Sequence, residues 1–346
     1  MVFPIQSADS SPAHTAPPLR VATAGEALFD LIEEPDGRLK PCAGGAVYNL
    51  TRALGLQGVG TLYLNPLSGD LLGRQLAHSL QEAGVALAAP APVRAPSALA
   101  LAALDAEGKA SYSFYRDGVA DRQVNAADMT AQCAAQPGLK VAVTGCLALV
   151  ADDSGKYLPW LQAQRAAGRL VVVDATLRPA IVPDMAAYQA SVMAALGQAH
   201  IVKVSDDDLV TLGFSAPDPL EAARELLQAT SATWLALTLG PRGAVLLHRD
   251  GRGWASAEPA PVKVADTVGA GDTFLAGLLT ALLERPAMQN AARADQLVLD
   301  SDDVQHILGR AVASASLCVM EVGCVPPSHD QVVERVATLR PMFRPL

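Results

Sequence analysis

The feature that most constrains the fold is an alternation of short apolar runs with helical patterns, which starts at Arg20 and covers most of the chain. Helical patterns such as residues 69–84 and 218–230 separate the apolar runs. The apolar runs are VATAG (21–25), GTLYL (60–64), KVAVTG (140–145), RLVVVDA (169–175), AHIVKVS (199–205) and TWLALTLG (233–240). Strands that alternate with helices in this way build a parallel sheet covered by helices on both faces. The sequence therefore predicts an α/β fold with a doubly wound, mostly parallel sheet.

Two segments interrupt this alternation. Residues 28–45 and 97–116 each resemble two strands joined by a turn rich in Asp, Pro and Gly, which is typical of hairpins. A helix and a strand of the main body lie between them in the sequence. We therefore expect one discontinuous β-lid, formed by about residues 27–44 and 96–120, over the edge of the sheet that binds ligand. The alternative is that both hairpins extend the main sheet.

The composition argues against a nucleic-acid surface and a membrane span. The 346 residues carry 26 Lys and Arg against 35 Asp and Glu, a formal charge of −9, so a basic stripe for nucleic acid is missing. No apolar stretch reaches the roughly 18 uninterrupted residues that a membrane helix needs. The five cysteines are odd in number and never spaced as Cys-x-x-Cys, so neither a disulfide framework nor a zinc site is indicated. These features favour small-molecule chemistry in the reducing cytoplasm.

The N-terminal segment differs from the rest of the chain. Residues 1–19 are rich in Ser, Pro and Ala, and they lack the charged and apolar regions of a signal peptide. We expect a flexible tail there. One folded domain should follow over residues 20–346, because no internal linker divides that part of the sequence.

A Gly-rich segment directly precedes an apolar helix within residues 262–284. Apolar residues recur at helical spacing over 274–283, so Asp272 falls at the N-terminus of a helix. The small residues 269–271 let the backbone approach a ligand closely, and the unpaired N–H groups of the first helical turn attract an anion. A carboxylate would repel a phosphate there, so its presence suggests chemistry on a hydroxyl beside the phosphate. The alternative is that Asp272 only caps the helix.

Further polar residues fall at the ends of predicted strands, where sheets of this kind bind their ligands. Together they supply carboxylates for hydroxyl groups, a second Gly-rich helix start and an arginine. The Ser205-x-x-Asp208 quartet also has the form of a capping box, which is its simpler interpretation. The other residues are Asp30, Asn49 after Gly44 and Gly45, Asp174, Arg178, and the turn from Thr238 to Gly243.

Three motifs resemble signatures of one known family, the ribokinase or PfkB-type carbohydrate kinases. They are GGAVYN (44–49), TLGPRGA (238–244) and DTVGAGDTFLAG (266–277). The first and last are the N-terminal and C-terminal signatures, and they occur in the right order. The resemblance covers nearly everything after the tail. It implies a sheet sandwiched by helices with a β-lid, and an ATP-dependent transfer of the γ-phosphate to a sugar hydroxyl.

Position by position, the resemblance implies a role for each motif residue. The implied catalytic residues are Asp272 as the base and Gly269, Ala270 and Gly271, whose N–H groups form the anion hole for the transferring phosphoryl group. The implied sugar contacts are Asp30, Gly44, Gly45 and Asn49. The implied ATP contacts are Ser205, Thr238, Gly240 and Gly243, together with Gly269 and Gly271. Asp266 and Val268 would form a site for a monovalent cation, with K⁺ as the candidate, and Mg²⁺ would bridge the β- and γ-phosphates.

The sequence departs from the family where an Asn-x-x-Glu motif usually acts on the magnesium and phosphate network. Residues 205–208 read Ser-Asp-Asp-Asp, so the amide is missing and the final acid is one methylene shorter. We expect Asp208 to act on Mg²⁺ through an added water, or else Asp206 or Asp207 to replace it.

The segment SFYRDGVADR (113–122) bears on the identity of the sugar. It resembles the lid of bacterial fructokinases, which makes a fructokinase the first hypothesis. The runner-up is a 2-keto-3-deoxygluconate kinase, in which Tyr115, Arg116 and Arg178 would hold a substrate carboxylate, and a ribokinase or nucleoside kinase comes third. A protein that is not an enzyme is also an alternative, namely a non-catalytic sensor that binds a sugar or a nucleotide. The exposed lid sheet could also pair two subunits into a homodimer.

Overall fold

The computed structural model describes residues 17–34, 36–104, 110–291 and 293–346. These residues form fourteen strands and eleven α-helices. The strands are β1 (Val21–Thr23), β2 (Leu28–Glu33), β3 (Leu39–Gly44), β4 (Thr61–Tyr63), β5 (Ala86–Leu87), β6 (Ala98–Leu104), β7 (Ala110–Tyr115), β8 (Val141–Gly145), β9 (Leu170–Asp174), β10 (Ile201–Ser205), β11 (Trp234–Thr238), β12 (Ala244–His248), β13 (Gly253–Ala257) and β14 (Met342–Pro345). The helices are α1 (Ala46–Leu56), α2 (Leu71–Glu82), α3 (Ala126–Ala134), α4 (Ser154–Ala166), α5 (Met185–Leu196), α6 (Asp206–Thr211), α7 (Pro219–Ala229), α8 (Ala270–Glu284), α9 (Pro286–Asn290), α10 (Ser301–Cys318) and α11 (His329–Leu339).

The main sheet has the strand order β14-β13-β12-β11-β10-β9-β8-β1-β4-β5 among the described residues. All pairings from β11 to β5 are parallel, whereas β11 to β14 pair antiparallel at one edge. The predicted doubly wound, mostly parallel sheet is therefore confirmed. β1 lies between β4 and β8, so the direction of winding reverses there, and ligands bind at such a switch point in open α/β sheets.

Alternate residues of the central strands supply two apolar cores, one on each face of the sheet. On β9, Val171 and Val173 belong to the core shared with α3, α4, α5 and α7, whereas Val172 belongs to the core shared with α1, α8 and α10. Trp160 in the first core and Leu279 in the second are both 0% exposed. Truncating one such side chain to alanine typically costs about 2–5 kcal/mol. The carboxyl ends of the strands are therefore fixed by packing on both faces.

The two hairpins form a separate four-stranded sheet in the order β3-β2-β6-β7. Each hairpin is antiparallel, and β2 and β6 join the two hairpins in parallel. They do not extend the main sheet, so the expected lid sheet is present. Leu28 and Ala98 of this sheet pack against Val119 and Leu147, which attach the base of the lid to the main body.

The N-terminal tail is only partly described. Residues 1–16 of the predicted tail lie outside the described residues. Leu19, the last residue of that segment, packs partly against a main core. In the part of the chain that the structure describes, none of the helices has the length and apolar character needed to cross a membrane.

Candidate active site

Polar side chains collect at the carboxyl ends of the central parallel strands. Asp174 ends β9, Ser205 ends β10 and Thr238 ends β11. Their register aligns Ser205 with Thr238, and Gly145 at the end of β8 with Asp174. Because these strands are parallel, their ends lie at one edge of the sheet, where α8 also begins.

Asp272 lies in the first turn of α8 and is 9% exposed. Gly269 occupies the N-cap position with a φ of 77°, and no side chain caps the helix. The Asn49 side-chain amide donates a hydrogen bond of 2.9 Å from Nδ2 to Oδ2 of Asp272. The alternative that Asp272 is only a helix cap is therefore wrong, and the N-terminal and C-terminal motifs meet in one site.

The pKa of Asp272 is raised to about 6. Burial is the main cause, and the charge of Asp174 adds to it. The Asn49 hydrogen bond and the charges of Lys203 and Arg178 oppose the rise. A carboxylate with this pKa is a stronger proton acceptor than a free aspartate, and it is still ionised at neutral pH.

The anion cradle at residues 269–271 has no room for larger side chains at its two glycines. A Cβ at Gly271 would lie 2.9 Å from Nζ of Lys203, and a Cβ at Gly269 would lie 2.1 Å from Sγ of Cys324. Gly269 also needs the left-handed backbone conformation that glycine adopts at no steric cost. The Ala270 N–H donates to the Thr267 carbonyl oxygen at 3.2 Å, so the predicted anion contact of the cradle rests mainly on the N–H groups of Gly269 and Gly271.

Lys203 is the functional candidate that the sequence analysis missed. It lies on β10, is 3% exposed, and places Nζ 3.1 Å from Oδ1 of Asp174 and 2.9 Å from Oγ1 of Thr176. Burial opposes its charge, but Asp174, Asp208 and Asp272 outweigh burial and raise its pKa. A permanent positive charge therefore lies beside the cradle. The available signal was a lysine inside the otherwise apolar strand IVKVS.

The predicted sugar side is built around Asp30 on β2. A Cβ at Gly44 would lie 2.2 Å from Oδ2 of Asp30, so only glycine leaves space for this carboxylate. Gly45 has a φ of 104°, and a Cβ there would lie 2.9 Å from the carbonyl oxygen of Glu26. Burial raises the pKa of Asp30 to about 6, against the opposing charge of Arg178. Steric fit thus accounts for both glycines of the N-terminal motif.

The predicted lid residues lie in different surroundings. Tyr115 is 60% exposed at the end of β7. Arg116 is the next residue, and its charge acts on the buried carboxylates of Glu26 and Asp121. Its Nη1 donates a long hydrogen bond of 3.4 Å to the Leu147 carbonyl oxygen. These contacts favour a structural role for Arg116 over the predicted contact with a substrate carboxylate.

Arg178 lies among acidic groups, because Asp272, Asp208 and Glu26 all favour its charge, and its contact with a substrate carboxylate stays a prediction. It is exposed, and its Nη1 donates a hydrogen bond to the Leu177 carbonyl oxygen. Its charge acts on both Asp30 and Asp272. Arg178 is thus near the predicted sugar side and accessible from solvent.

The predicted nucleotide side lies at the ends of β10 and β11. The hydroxyl of Ser205 accepts a hydrogen bond from the Asp208 N–H, so Ser205 caps α6 as the capping-box interpretation expected. Asp208 uses Oδ1 to accept a hydrogen bond from the Leu177 N–H at 2.8 Å, and Oδ2 accepts one from Ser205 at 2.5 Å. The two carboxylate oxygens of Asp208 therefore already have protein partners, and burial raises the pKa of this group.

The turn after β11 carries the other predicted nucleotide contacts. Gly240 and Gly243 have φ values of 55° and 89°. A Cβ at Gly243 would lie 2.2 Å from the Ser256 carbonyl oxygen, which excludes other residues there. Arg242 in the same turn forms a 2.7 Å ion pair with Asp206, so the turn and the start of α6 are held together.

The predicted monovalent-cation loop is ordered by Asp266. Its two carboxylate oxygens accept hydrogen bonds from the N–H groups of Val268, at 3.0 Å, and Gly323, at 2.9 Å. Partial burial opposes the charge, but these N–H groups prevail and lower the pKa of Asp266. Within the described residues, no group of three or more His, Cys, Asp or Glu side chains is arranged to hold a metal ion.

The comparisons with known proteins agree with this geometry. The chain belongs to the pfkB family of carbohydrate kinases, whose family pattern matches residues 19–331. It is therefore a phosphotransferase that acts on a sugar hydroxyl, as the resemblance of the motifs predicted. The fructokinase of Rhizobium leguminosarum bv. trifolii is 31% identical over 270 residues, which are 76% of this chain and 79% of that protein.

Two solved structures show the same fold. The fructokinase of Xylella fastidiosa with bound ATP superposes with a TM-score of 0.78 at 25% identity, covering 92% of this chain and 98% of that one. The aminoimidazole riboside kinase of Salmonella enterica, in complex with aminoimidazole riboside and an ATP analog, gives a TM-score of 0.73 at 23% identity, covering 92% and 99%. The ribokinase-like fold with its lid sheet is thereby confirmed, and the second likeness supports the fold alone.

Proposed function

We propose that this carbohydrate kinase transfers the γ-phosphate of ATP to a hydroxyl of fructose. The observation that carries the kinase chemistry is the Asn49–Asp272 hydrogen bond, because it joins the two signature motifs beside the Gly-rich start of α8. The choice of fructose is supported by the fructokinase relative with 31% identity and by the SFYRDGVADR segment of the lid.

Asp272 acts as the proton acceptor. Its raised pKa of about 6 improves its match to a reacting alcohol, and Asn49 fixes the orientation of its carboxylate. An alcohol holds its proton tightly in the ground state. The carboxylate therefore orients the sugar hydroxyl first and accepts the proton late, as the bond to phosphorus forms.

The cradle and Lys203 stabilise the phosphoryl group in transfer. Phosphoryl transfer needs little covalent help from a protein, so alignment and neutralisation of charge on the phosphate oxygens dominate catalysis. The N–H groups of Gly269 and Gly271 supply fixed dipoles at a helix N-terminus. A Cβ added to Gly271 would lie 2.9 Å from Nζ of Lys203, so this lysine is next to the cradle. It therefore adds a full positive charge beside the phosphoryl group.

Two ions fit the residues present. Mg²⁺ commonly keeps several waters and binds mainly through substrate phosphates, so a water-mediated contact with Asp208 suits a carboxylate whose two oxygens already accept hydrogen bonds. When bound with ATP, Mg²⁺ supplies neutralising charge to the phosphates. The Asp266–Val268 loop supplies carbonyl and carboxylate oxygens suited to a monovalent cation such as K⁺ beside the cradle.

An acidic sugar is the second candidate, and Arg178 is the observation that favours it. This exposed guanidinium acts electrostatically on Asp30, and a carboxylate-bearing sugar such as 2-keto-3-deoxygluconate would find a charged partner there. Arg178→Ala should then reduce activity on the acidic sugar far more than activity on fructose. Equal losses on both sugars would instead place Arg178 on the phosphate side of the site.

A coupled ADP-release assay tests the proposal directly. The panel is fructose, 2-keto-3-deoxygluconate, ribose, glucose and adenosine, each with saturating ATP and Mg²⁺. We expect the highest kcat/KM for fructose. The highest value for another member of the panel would replace fructose, and ATP turnover with none of them would favour the sensor alternative.

We also propose that the lid sheet pairs two subunits. Ile32 on β2, Leu39 on β3 and Tyr115 on β7 are 41%, 48% and 60% exposed. By strand register Leu39 and Tyr115 share one face of the lid sheet and Ile32 lies on the other, so both faces carry apolar surface that a second copy could cover. Light scattering after size-exclusion chromatography should give a dimer mass. Ile32→Glu should shift that mass toward the monomer.

A further inference from the structure

Two cysteines lie next to each other behind the anion cradle. Cys318 is the last residue of α10 and is 0% exposed, and Cys324 lies six positions later in the following loop, half-buried. Both are free thiols, and their side chains lie close enough for each to act on the pKa of the other. The sequence analysis set them aside because their spacing fits neither a disulfide framework nor a zinc motif.

Both sulfur atoms contact consecutive residues of the catalytic loop. Sγ of Cys318 lies 3.6 Å from the Val268 carbonyl oxygen. Sγ of Cys324 lies against Cα of Gly269, since a Cβ on that glycine would be only 2.1 Å from this sulfur. The pair of thiols therefore touches the residue that caps α8 and the residue before it.

Backbone contacts tie the cysteine loop to the same segment. The Ala265 N–H donates to the Val319 carbonyl oxygen at 2.8 Å, and the Gly323 N–H donates to Asp266 at 2.9 Å. Arg52 of α1 donates to the Cys324 carbonyl oxygen at 3.2 Å. A shift of Cys324 is thus transmitted to residues 265–269, because little free space separates the two loops.

We propose that Cys318 and Cys324 form a reversible disulfide with a small-molecule disulfide such as oxidised glutathione, and that this bond switches off phosphoryl transfer. The neighbouring Cys318 and burial raise the pKa of the Cys324 thiol, so the reaction begins when this partly exposed thiol loses its proton to solvent. Its sulfur then attacks the oxidant, whose S–S bond breaks and releases one glutathione thiolate. The Cys318 thiolate then attacks the Cys324 sulfur and releases the second. The protein gives up two electrons and two thiol protons, and the oxidant becomes two molecules of reduced glutathione.

The effect on activity follows from the geometry of a disulfide. The two sulfurs must approach to about 2.05 Å and the two Cβ atoms to about 3.8 Å, and such a sulfur–sulfur distance is far shorter than any contact between free thiols. Cys324 must therefore move toward α10 and away from its contact with Gly269. The N-cap of α8 then loses its packing partner, and the N–H groups of the cradle lose the alignment that transfer of the phosphoryl group requires.

The test separates bond formation from its effect on activity. The purified full chain is incubated with oxidised glutathione, then alkylated and digested, and the fragment joining the two cysteines is sought by mass spectrometry. The same samples are assayed for ADP release with fructose, before and after dithiothreitol. The activity readout rests on the proposed kinase function, whereas the mass readout does not, so the two can fail separately.

We expect the crosslinked fragment together with a loss of activity of at least tenfold, and recovery of activity with dithiothreitol. Cys324→Ala should be resistant, because the attacking thiol is then missing, and Cys324→Ser replaces it if the alanine variant does not fold. Cys42→Ala is the matched control, since Cys42 is the other half-buried cysteine, and this variant should remain sensitive.

Three outcomes would overturn the proposal. They are the absence of the crosslink in oxidised wild-type protein, a complete crosslink with unchanged kinase activity, and inhibition of Cys324→Ala as strong as that of the wild type. A protein without kinase activity on any sugar but with the crosslink would contradict the proposed function instead, and the site of modification would stand.

Discussion

Two buried charge clusters lie close to the base of the lid, and only one of them can do chemistry. The catalytic cluster is Asp174, Lys203, Asp208 and Asp272. The hinge cluster lies where the chain passes between the main body and the lid, and it is Glu26, Arg116 and Asp121. In both clusters, carboxylates are at least nine-tenths buried and surround one cation.

The pKa values alone do not distinguish the two clusters. Burial raises the pKa of Asp272 to about 6, that of Asp121 to about 6 and that of Glu26 to about 7. The catalytic cluster lies beside the N-terminus of α8, which no side chain caps. The hinge cluster is closed, and Oε2 of Glu26, Oδ1 of Asp121 and Nε of Arg116 are buried without hydrogen-bond partners within the described residues. A perturbed pKa therefore marks burial, and a catalytic role also needs access and an anion site.

The largest effect should come from Asp272→Asn. The change is nearly isosteric, so the helix start should persist while the proton acceptor is lost, and kcat should fall by at least about 10² to 10⁴. The KM for ATP should change much less. Steady-state kinetics with fructose and circular dichroism check both points.

A matched control for this prediction is Asp300→Asn. Asp300 caps α10 at the end opposite to Cys318, which is the end that contacts the cradle segment, and asparagine caps helices equally well. Its kcat should stay at the wild-type value. If Asp272→Asn kept more than about a tenth of the wild-type kcat, Asp272 would not be the catalytic base.

The sequence predicted the motif-bearing parts of the site well because their geometry is local. Gly269 and Gly271 adjoin Asp272 in one helix start, and the spacing of apolar residues in α8 located that start without any tertiary information. Asn49 followed from the family resemblance, and its hydrogen bond to Asp272 across 223 residues could come only from the fold.

Lys203 and Arg116 show what sequence patterns could not supply. A lysine in an apolar strand is compatible with a strand edge or with a buried ion pair, and only the register of β9 against β10 places Lys203 opposite Asp174. Arg116 was assigned to the substrate from its neighbours in the lid motif. Its true surroundings, Glu26 and Asp121, come from chain segments on both sides of the lid.

The next largest effect should come from Lys203→Met, which removes the charge beside the cradle. We expect kcat to fall about 10²-fold, and the loss of one partner of a buried pair should cost about 3–5 kcal/mol of stability. The double variant Lys203→Met with Asp174→Asn neutralises the orphaned carboxylate. It should recover part of the melting temperature without recovering kcat. Parallel recovery of both would make Lys203 purely structural.

Gly44→Ala probes the predicted sugar side of the site. The added Cβ would lie 2.2 Å from Oδ2 of Asp30, so the carboxylate must move. We expect the KM for the sugar to rise about tenfold, with the KM for ATP unchanged. Gly155→Ala serves as the control because no atom lies within 4 Å of its added Cβ. A Gly44→Ala enzyme with wild-type sugar KM would show that Asp30 does not contact the sugar.

The smallest effect concerns the hinge cluster and appears in stability. Burial raises the pKa of Glu26 from 4.5 to about 7, with the Arg116 charge opposing the rise. Folding therefore favours the protonated form, so its contribution to stability is fully present below pH 4.5 and is lost as the pH rises through 7. The neutral side chain of Glu26→Gln should avoid this loss, which is at most about 3 kcal/mol.

Melting temperatures from pH 5 to pH 8 test this prediction. Wild-type protein should lose stability with rising pH relative to Glu26→Gln, by a few degrees, because a chain of this size changes its melting temperature only slightly per kcal/mol. The kcat of Glu26→Gln should change far less than that of Asp272→Asn, since glutamine keeps the oxygen that accepts from the Ala46 N–H. Parallel curves for the two proteins would mean that Glu26 does not titrate in this range. A collapse of kcat in Glu26→Gln would mean that the hinge cluster takes part in catalysis, and the contrast between the two clusters would then be wrong.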